Sequence, residues 1–184
     1  SSSTMTLRGL LRLLPAGLLV LVALALIALL LQARHSRALF DEARAAQNQR
    51  AALGVVRTHC GELTQNAVAW TLTRRASQGK QYSDGKAGGL DALAKAATAM
   101  PGAAKTLGEL DQSIKALATL LETVQSEHTD ETKMVTVGRL EREVQPQSRA
   151  IVKTLDELTL AADQQGAQVM QTVVERQQQL LWLS

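Results

Sequence analysis

The chain has 184 residues, a formal charge of +3 and 46% hydrophobic residues, with aromatics at only 2%. That charge is too small, and carries no Lys/Arg run, for a nucleic-acid binder. A single cysteine, Cys60, excludes an intrachain disulfide, and His35, His59 and His128 stand too far apart in sequence for metal-ligand spacing.

Residues 13–31, LLPAGLLVLVALALIALLL, carry no charge. As a helix they span about 28 Å, close to the hydrocarbon core of a bilayer. Pro15 falls in the first turn, where its missing N–H costs little. The stretch is longer than a signal-peptide core, and Leu31-Gln32-Ala33 is a poor cleavage site. The expectation is an uncleaved membrane anchor, with a cleaved leader as its rival. Arg8 and Arg12 precede it and Arg34 and Arg37 follow, so charge alone does not orient it. A short tail, residues 1–12, is expected in the cytoplasm, with the large C-terminal part outside.

The rest of the chain has helix composition: Ala, Leu, Gln, Glu, Lys and Arg dominate, and no β-branched residues alternate. Leu53, Val56, Cys60, Leu63, Ala67 and Trp70 alternate spacings of three and four, a heptad seam that Leu39 and Ala46 extend backward by sevens. One helix is expected from the anchor to about Gln78. GKQYSDGKAGG, residues 79–89, reads as a turn. A short helix from Leu90 to Ala99 is expected next, and Pro101 separates it from another. Leu107, Leu110, Ile114, Leu117, Leu121 and Val124 repeat the heptad seam. Thr129 is expected to cap a last helix, with Asp130 and Glu131 at its positive end. Its seam runs Val137, Leu140, Val144, Ile151, Leu155, Leu158, Ala162, Gln165, Val169 and Val173, with a kink or break expected where Pro146 intervenes. Leu180-Leu181-Trp182-Leu183 then turns apolar, as the start of a second span would.

Those helix lengths predict an all-α fold: a transmembrane helix continuing into an antiparallel up-down-up-down four-helix bundle with long first and last helices. The expected divisions are 1–12 tail, 13–31 membrane helix, 32–180 periplasmic bundle and 181–184 second span. Two long helices near the membrane would be under-buried alone, so a homodimer is expected.

This layout resembles the ligand-sensing input module of bacterial methyl-accepting chemotaxis receptors. The resemblance rests on the basic tail, the span, the long helix of residues 33–78 and the last helix of about 130–183. ELTQNAVAWTLTRR (62–75) and GRLEREVQP (138–146) look like segments of such receptors. No linker or output domain follows, so the resemblance implies an N-terminal fragment of an inner-membrane receptor that senses a small ligand outside and passes the signal inward.

By the resemblance, a ligand would bind in the membrane-distal half through Arg side chains from the end of the first helix. Trp70, Arg74 and Arg75 lie there, with Lys133 and Arg139 expected at the same level. A guanidinium forks onto a carboxylate, so a small anion is the expected ligand. Neither G-x-S-x-G, a phosphate loop nor H-E-x-x-H occurs, and no catalytic constellation or cofactor is expected. The alternative is a membrane-anchored helical scaffold or adaptor without a ligand; a secreted helical module cleaved near Ala33 is the third reading.

Overall fold

The computed structural model describes residues 7–182, and all of its regular structure is helical. The helices are α1 (Leu7–Thr73), α2 (Ala76–Ala99), α3 (Ala104–Glu127), α4 (Lys133–Arg139) and α5 (Gln145–Trp182). A 3-10 turn, Pro101–Ala103, precedes α3, and a π turn, Leu140–Val144, joins α4 to α5 without a gap. The described chain therefore has four helices, the last running from α4 through α5. Residues 1–6 of the expected tail and 183–184 of the expected second span lie outside the described residues, as do the side chains of Arg8 and Arg12.

The chain divides into two compact units, Ser1–Glu42 and Ala43–Ser184. In the first, α1 is long and apolar enough to cross a membrane. Its apolar side chains are open on every side: Leu19 is 69% exposed, Leu24 57% and Leu30 63%. The length of this apolar stretch fits a bilayer core.

In the second unit the heptad seams become the core. Leu53, Val56, Cys60, Leu63 and Ala67 of α1 are buried, as are all six seam residues of α3. Ile151, Leu155, Ala162 and Val169 of α5 join them. Gln165, in a core slot of the expected seam, is exposed. Ion pairs flank the seam on the surface: Arg57 with Asp156 at 2.5 Å and Arg50 with Asp163 at 3.3 Å.

The break after α1 comes earlier than the glycines suggest. Helix α1 ends at Thr73, and Arg74 adopts a left-handed conformation (φ 53°), the one positive φ among described non-glycine residues. The expected turn at 79–89 is instead helical and lies inside α2, which has 24 residues. Its glycines are a contact surface, not a hinge. A Cβ on Gly79 would come within 2.8 Å of Trp70 Nε1, one on Gly88 within 3.0 Å of the His59 ring, and one on Gly89 within 3.3 Å of His59 Cβ. Bare backbone is what allows α2 this close to two bulky rings of α1. Glycine's helix penalty, about 1 kcal/mol each, is offset by that contact.

Of the kink or break expected at Pro146, the break is absent: the helix runs on from Lys133 to Trp182. A proline ring clashes with the carbonyl four residues back, here Arg142, and offers it no N–H. The π turn provides the accommodation: the Gln145 N–H donates to the Leu140 carbonyl, five residues back. The turn holds one residue more than an α turn, and this rotates everything before it. In a regular helix Val137, seven residues before Val144, would share its inward face. Instead Thr136 is buried (4% exposed), while Val137, Val135 and Met134 are 37%, 59% and 83% exposed. The last helix also restarts later than expected, at Lys133. Thr129 does not cap it; the Thr129 and Thr132 hydroxyls and amides bond to one another across the loop.

Candidate functional site

Two loops of the second unit meet through Arg74. Its left-handed backbone ends α1, and its guanidinium Nη2 donates to the carbonyl of His128 at 2.7 Å. His128 ends α3 and is buried, with Nδ1 2.7 Å from the Thr136 hydroxyl. That hydroxyl also lies 3.2 Å from the Thr132 carbonyl; when it donates there, His128 Nδ1 is the donor to it. Beside it, Arg139 donates to Glu127 and, at 3.3 Å, to Glu143. The Glu127 hydrogen bond is the main reason its guanidinium is held above the usual arginine range.

Of the five residues expected to hold a ligand, the structure brings Arg74 and Arg139 to one polar cluster, centred on Glu127-His128. Both already donate to protein acceptors. Arg75 and Lys133 are exposed, and among the described residues no hydrogen bond or ion pair engages their side chains. Trp70 is half-buried and packs against the core cluster. It stacks on Tyr82 with centroids 5.5 Å apart and 27° between planes, and lies over Gly79. None of the five lines the surface grooves between α3 and α5 (about 370 Å³, around Glu109, Ser113 and Thr154) or beside the α2–α3 turn (about 300 Å³, around Gln49, Met100 and Gln165).

Sequence reasoning missed two features. One is His128, which looks isolated in the sequence because its partners, Arg74 and Thr136, come from a different loop and the next helix. The other is a second polar cluster between α2 and α3. The Tyr82 phenol donates to the Ala118 carbonyl (3.2 Å) or to Glu122 (3.1 Å), and Lys86 pairs with the same carboxylate at 2.8 Å. Burial, then the Glu122 charge, holds the phenol above the usual tyrosine range. Tyr82 and Lys86 stand one turn apart, a signal that counts only once α2 is known to be helical. On α1, the His59 Nδ1 and Thr64 hydroxyl are buried without a hydrogen-bond partner. Burial pushes the Cys60 thiol up to about 11, so it is an inert core residue near neutral pH. Among the described residues, no group of three His, Cys, Asp or Glu side chains is placed to hold a metal.

No protein family, curated protein or solved structure matches this chain.

Proposed function

We propose that this chain is the input module of a transmembrane receptor of the chemotaxis type, anchored in a bacterial inner membrane through residues 13–31, with its helical bundle on the periplasmic side. The observation that carries the reading is the junction at Arg74: a side chain from the α1–α2 turn held by the carbonyl at the end of α3. Such a junction brings the α1–α2 and α3–α4 connections to one end, as an up-down-up-down bundle requires. Partner order supports the same topology. Arg50 and Arg57 rise along α1 while their partners, Asp163 and Asp156, fall along α5. Trp70 meets Gly79 and His59 meets Gly88, the order of an antiparallel hairpin.

The ligand in this reading is a small carboxylate or other anion beside the Arg74–His128 and Arg139–Glu127 contacts, with Arg75 and Lys133 as the further cations of the site. Arg75 and Lys133 supply exposed charge. Arg139 exchanges Glu127 for the ligand, and the last helix carries the resulting shift. A homodimer completes the bundle where α1 and α5 extend past α2 and α3. One observation favours the second reading, an anchored scaffold without a ligand: Arg74 and Arg139 already have protein acceptors.

Thermal unfolding of the full chain in detergent micelles, with a panel of small carboxylates, separates the two. A true ligand at a hundred times its Kd adds about 2.7 kcal/mol. Arg75→Ala and Arg139→Ala should abolish that gain. No stabilisation by any anion, or equal stabilisation of both variants, removes the ligand reading.

A further inference from the structure

We propose that the Leu140–Val144 π turn makes the last helix a two-register element, in which either Thr136 or Val137 occupies one inward position beside the end of α3. Three observations meet there. The residue facing inward is a threonine, although the next residue is a valine at the correct heptad spacing from Val144. The apolar side chains of Met134, Val135 and Val137 point outward, the reverse of an ordinary amphipathic helix. The turn responsible is followed by Gln145-Pro146 and preceded by Gly138-Arg139, and the Gly138 carbonyl accepts from Arg142 Nε at 3.2 Å.

The two registers differ by the one extra residue in the π turn, a rotation of about 100° for everything before it. In the register observed, Thr136 meets His128 and Arg139 meets Glu127. When the turn tightens to an α turn, Val137 moves into the place of Thr136, and the His128–Thr136 and Glu127–Arg139 contacts part. Each register has its own stabilisation. The first satisfies the buried His128 ring with a hydrogen bond; the second buries the valine and restores the continuous seam Val137, Leu140, Val144. Pro146 favours the first, because the Arg142 carbonyl has no N–H ahead of it in a regular α-helix. Discrete alternatives of this kind are how packed helices convert a local change into a rotation. The inference stands on the helix geometry alone. Under the sensor reading it adds a route for the signal, since an anion that draws Arg139 from Glu127 favours the second register.

The test is thiol alkylation of the full chain in micelles, with Cys60→Ala to silence the native thiol and either Thr136→Cys or Val137→Cys as reporter. With Pro146 in place, the Val137→Cys reporter reacts and the Thr136→Cys reporter is protected. Adding Pro146→Ala should reverse the order, slowing the Val137→Cys reporter about tenfold as the register equilibrium shifts. An unchanged order in folded Pro146→Ala protein overturns the proposal. Deleting Glu141 supplies a second measurement that does not depend on how that variant folds. It removes the extra residue and leaves Thr136 inward in a regular helix, with no second register of similar energy. The Thr136→Cys reporter should then react about tenfold more slowly than it does in the undeleted chain, which makes excursions. Equal rates with and without the deletion also overturn it.

Discussion

Helix α3 and the start of the last helix carry the same written pattern of apolar residues, and they use it differently. In α3 all six residues at alternating spacings of three and four are buried, from Leu107 at 1% exposure to Leu110 at 3%. In the last helix Val144, Ile151, Leu155, Ala162 and Val169 keep the pattern, with Gln165 exposed among them, and before Val144 it fails, where Val137 faces out and Thr136 faces in. The difference lies in the backbone, since one π turn displaces the face by one residue. A heptad pattern therefore reports which residues share a face only as far as every turn between them has the same number of residues.

The largest effect that sharpens this comparison is a pair of truncations. Leu117→Ala, in the fully buried seam of α3, should cost about 2–5 kcal/mol in chemical denaturation. Val137→Ala, at a nominally equivalent seam position, should change stability by less than about 0.5 kcal/mol. A large loss at Val137 would mean that the α register is the populated one.

The glycines provide the next contrast. Gly79→Ala forces a methyl group onto the rigid Trp70 indole, and overpacking of this kind costs about 1–3 kcal/mol. Gly108→Ala meets nothing within 4 Å in α3 and should stabilise by about 0.5–1 kcal/mol through helix propensity. Thermal midpoints moving in opposite directions would confirm that α2 is a helix pressed against α1; a neutral Gly79→Ala would return residues 79–89 to a loose turn.

These contrasts also mark what is legible in the sequence. The apolar span, the all-helical class and the buried seams of α1 and α3 can be read directly, because each depends on local periodicity and on nothing distant. The α1–α2 break cannot. Arg74 has no turn propensity to signal it, while the glycines that do are used for close approach to Trp70, in the last turn of α1, and to His59, well back along it. The candidate site is legible only as a set of charges. That Arg74 and Arg139 converge on Glu127-His128 depends on two loops meeting, which no spacing within either loop encodes. Trp70 reads as a site wall in the sequence because its partner, Tyr82, lies in the expected turn.

A smaller effect concerns pH. Folding raises both the Cys60 thiol, from 9.0 to about 11, and the Tyr82 phenol, from 10.0 upward. Both groups hold their protons more tightly when folded, so above pH 9 the unfolded chain binds fewer protons than the folded one, and stability must fall as pH rises. Cys60 contributes fully below pH 9 and its share is lost through about 11; the Tyr82 share begins to go above 10. Denaturation midpoints measured from about pH 8 to about pH 11 should decline in the parent. Cys60→Ala should flatten the segment between 9 and 10, and Tyr82→Phe the segment above 10. A parent midpoint constant to pH 11 would show that neither group is shielded by the contacts described.

The smallest expected effect tests the order of the helices. Arg57–Asp156 and Arg50–Asp163 are exposed pairs, so each should contribute about 0.2–1 kcal/mol, and less in high salt. Their value lies in specificity, because each tests a different level of the same helix pair. Double-mutant cycles on Arg57 with Asp156 and on Arg50 with Asp163 should each give a small favourable coupling. The crossed cycles, Arg57 with Asp163 and Arg50 with Asp156, should give none, since those pairs stand about two turns apart. Coupling in the crossed cycles instead would mean that α1 and α5 run in the same direction. The up-down order, and with it the placing of Arg74, Arg75, Lys133 and Arg139 at one end, would then fail together.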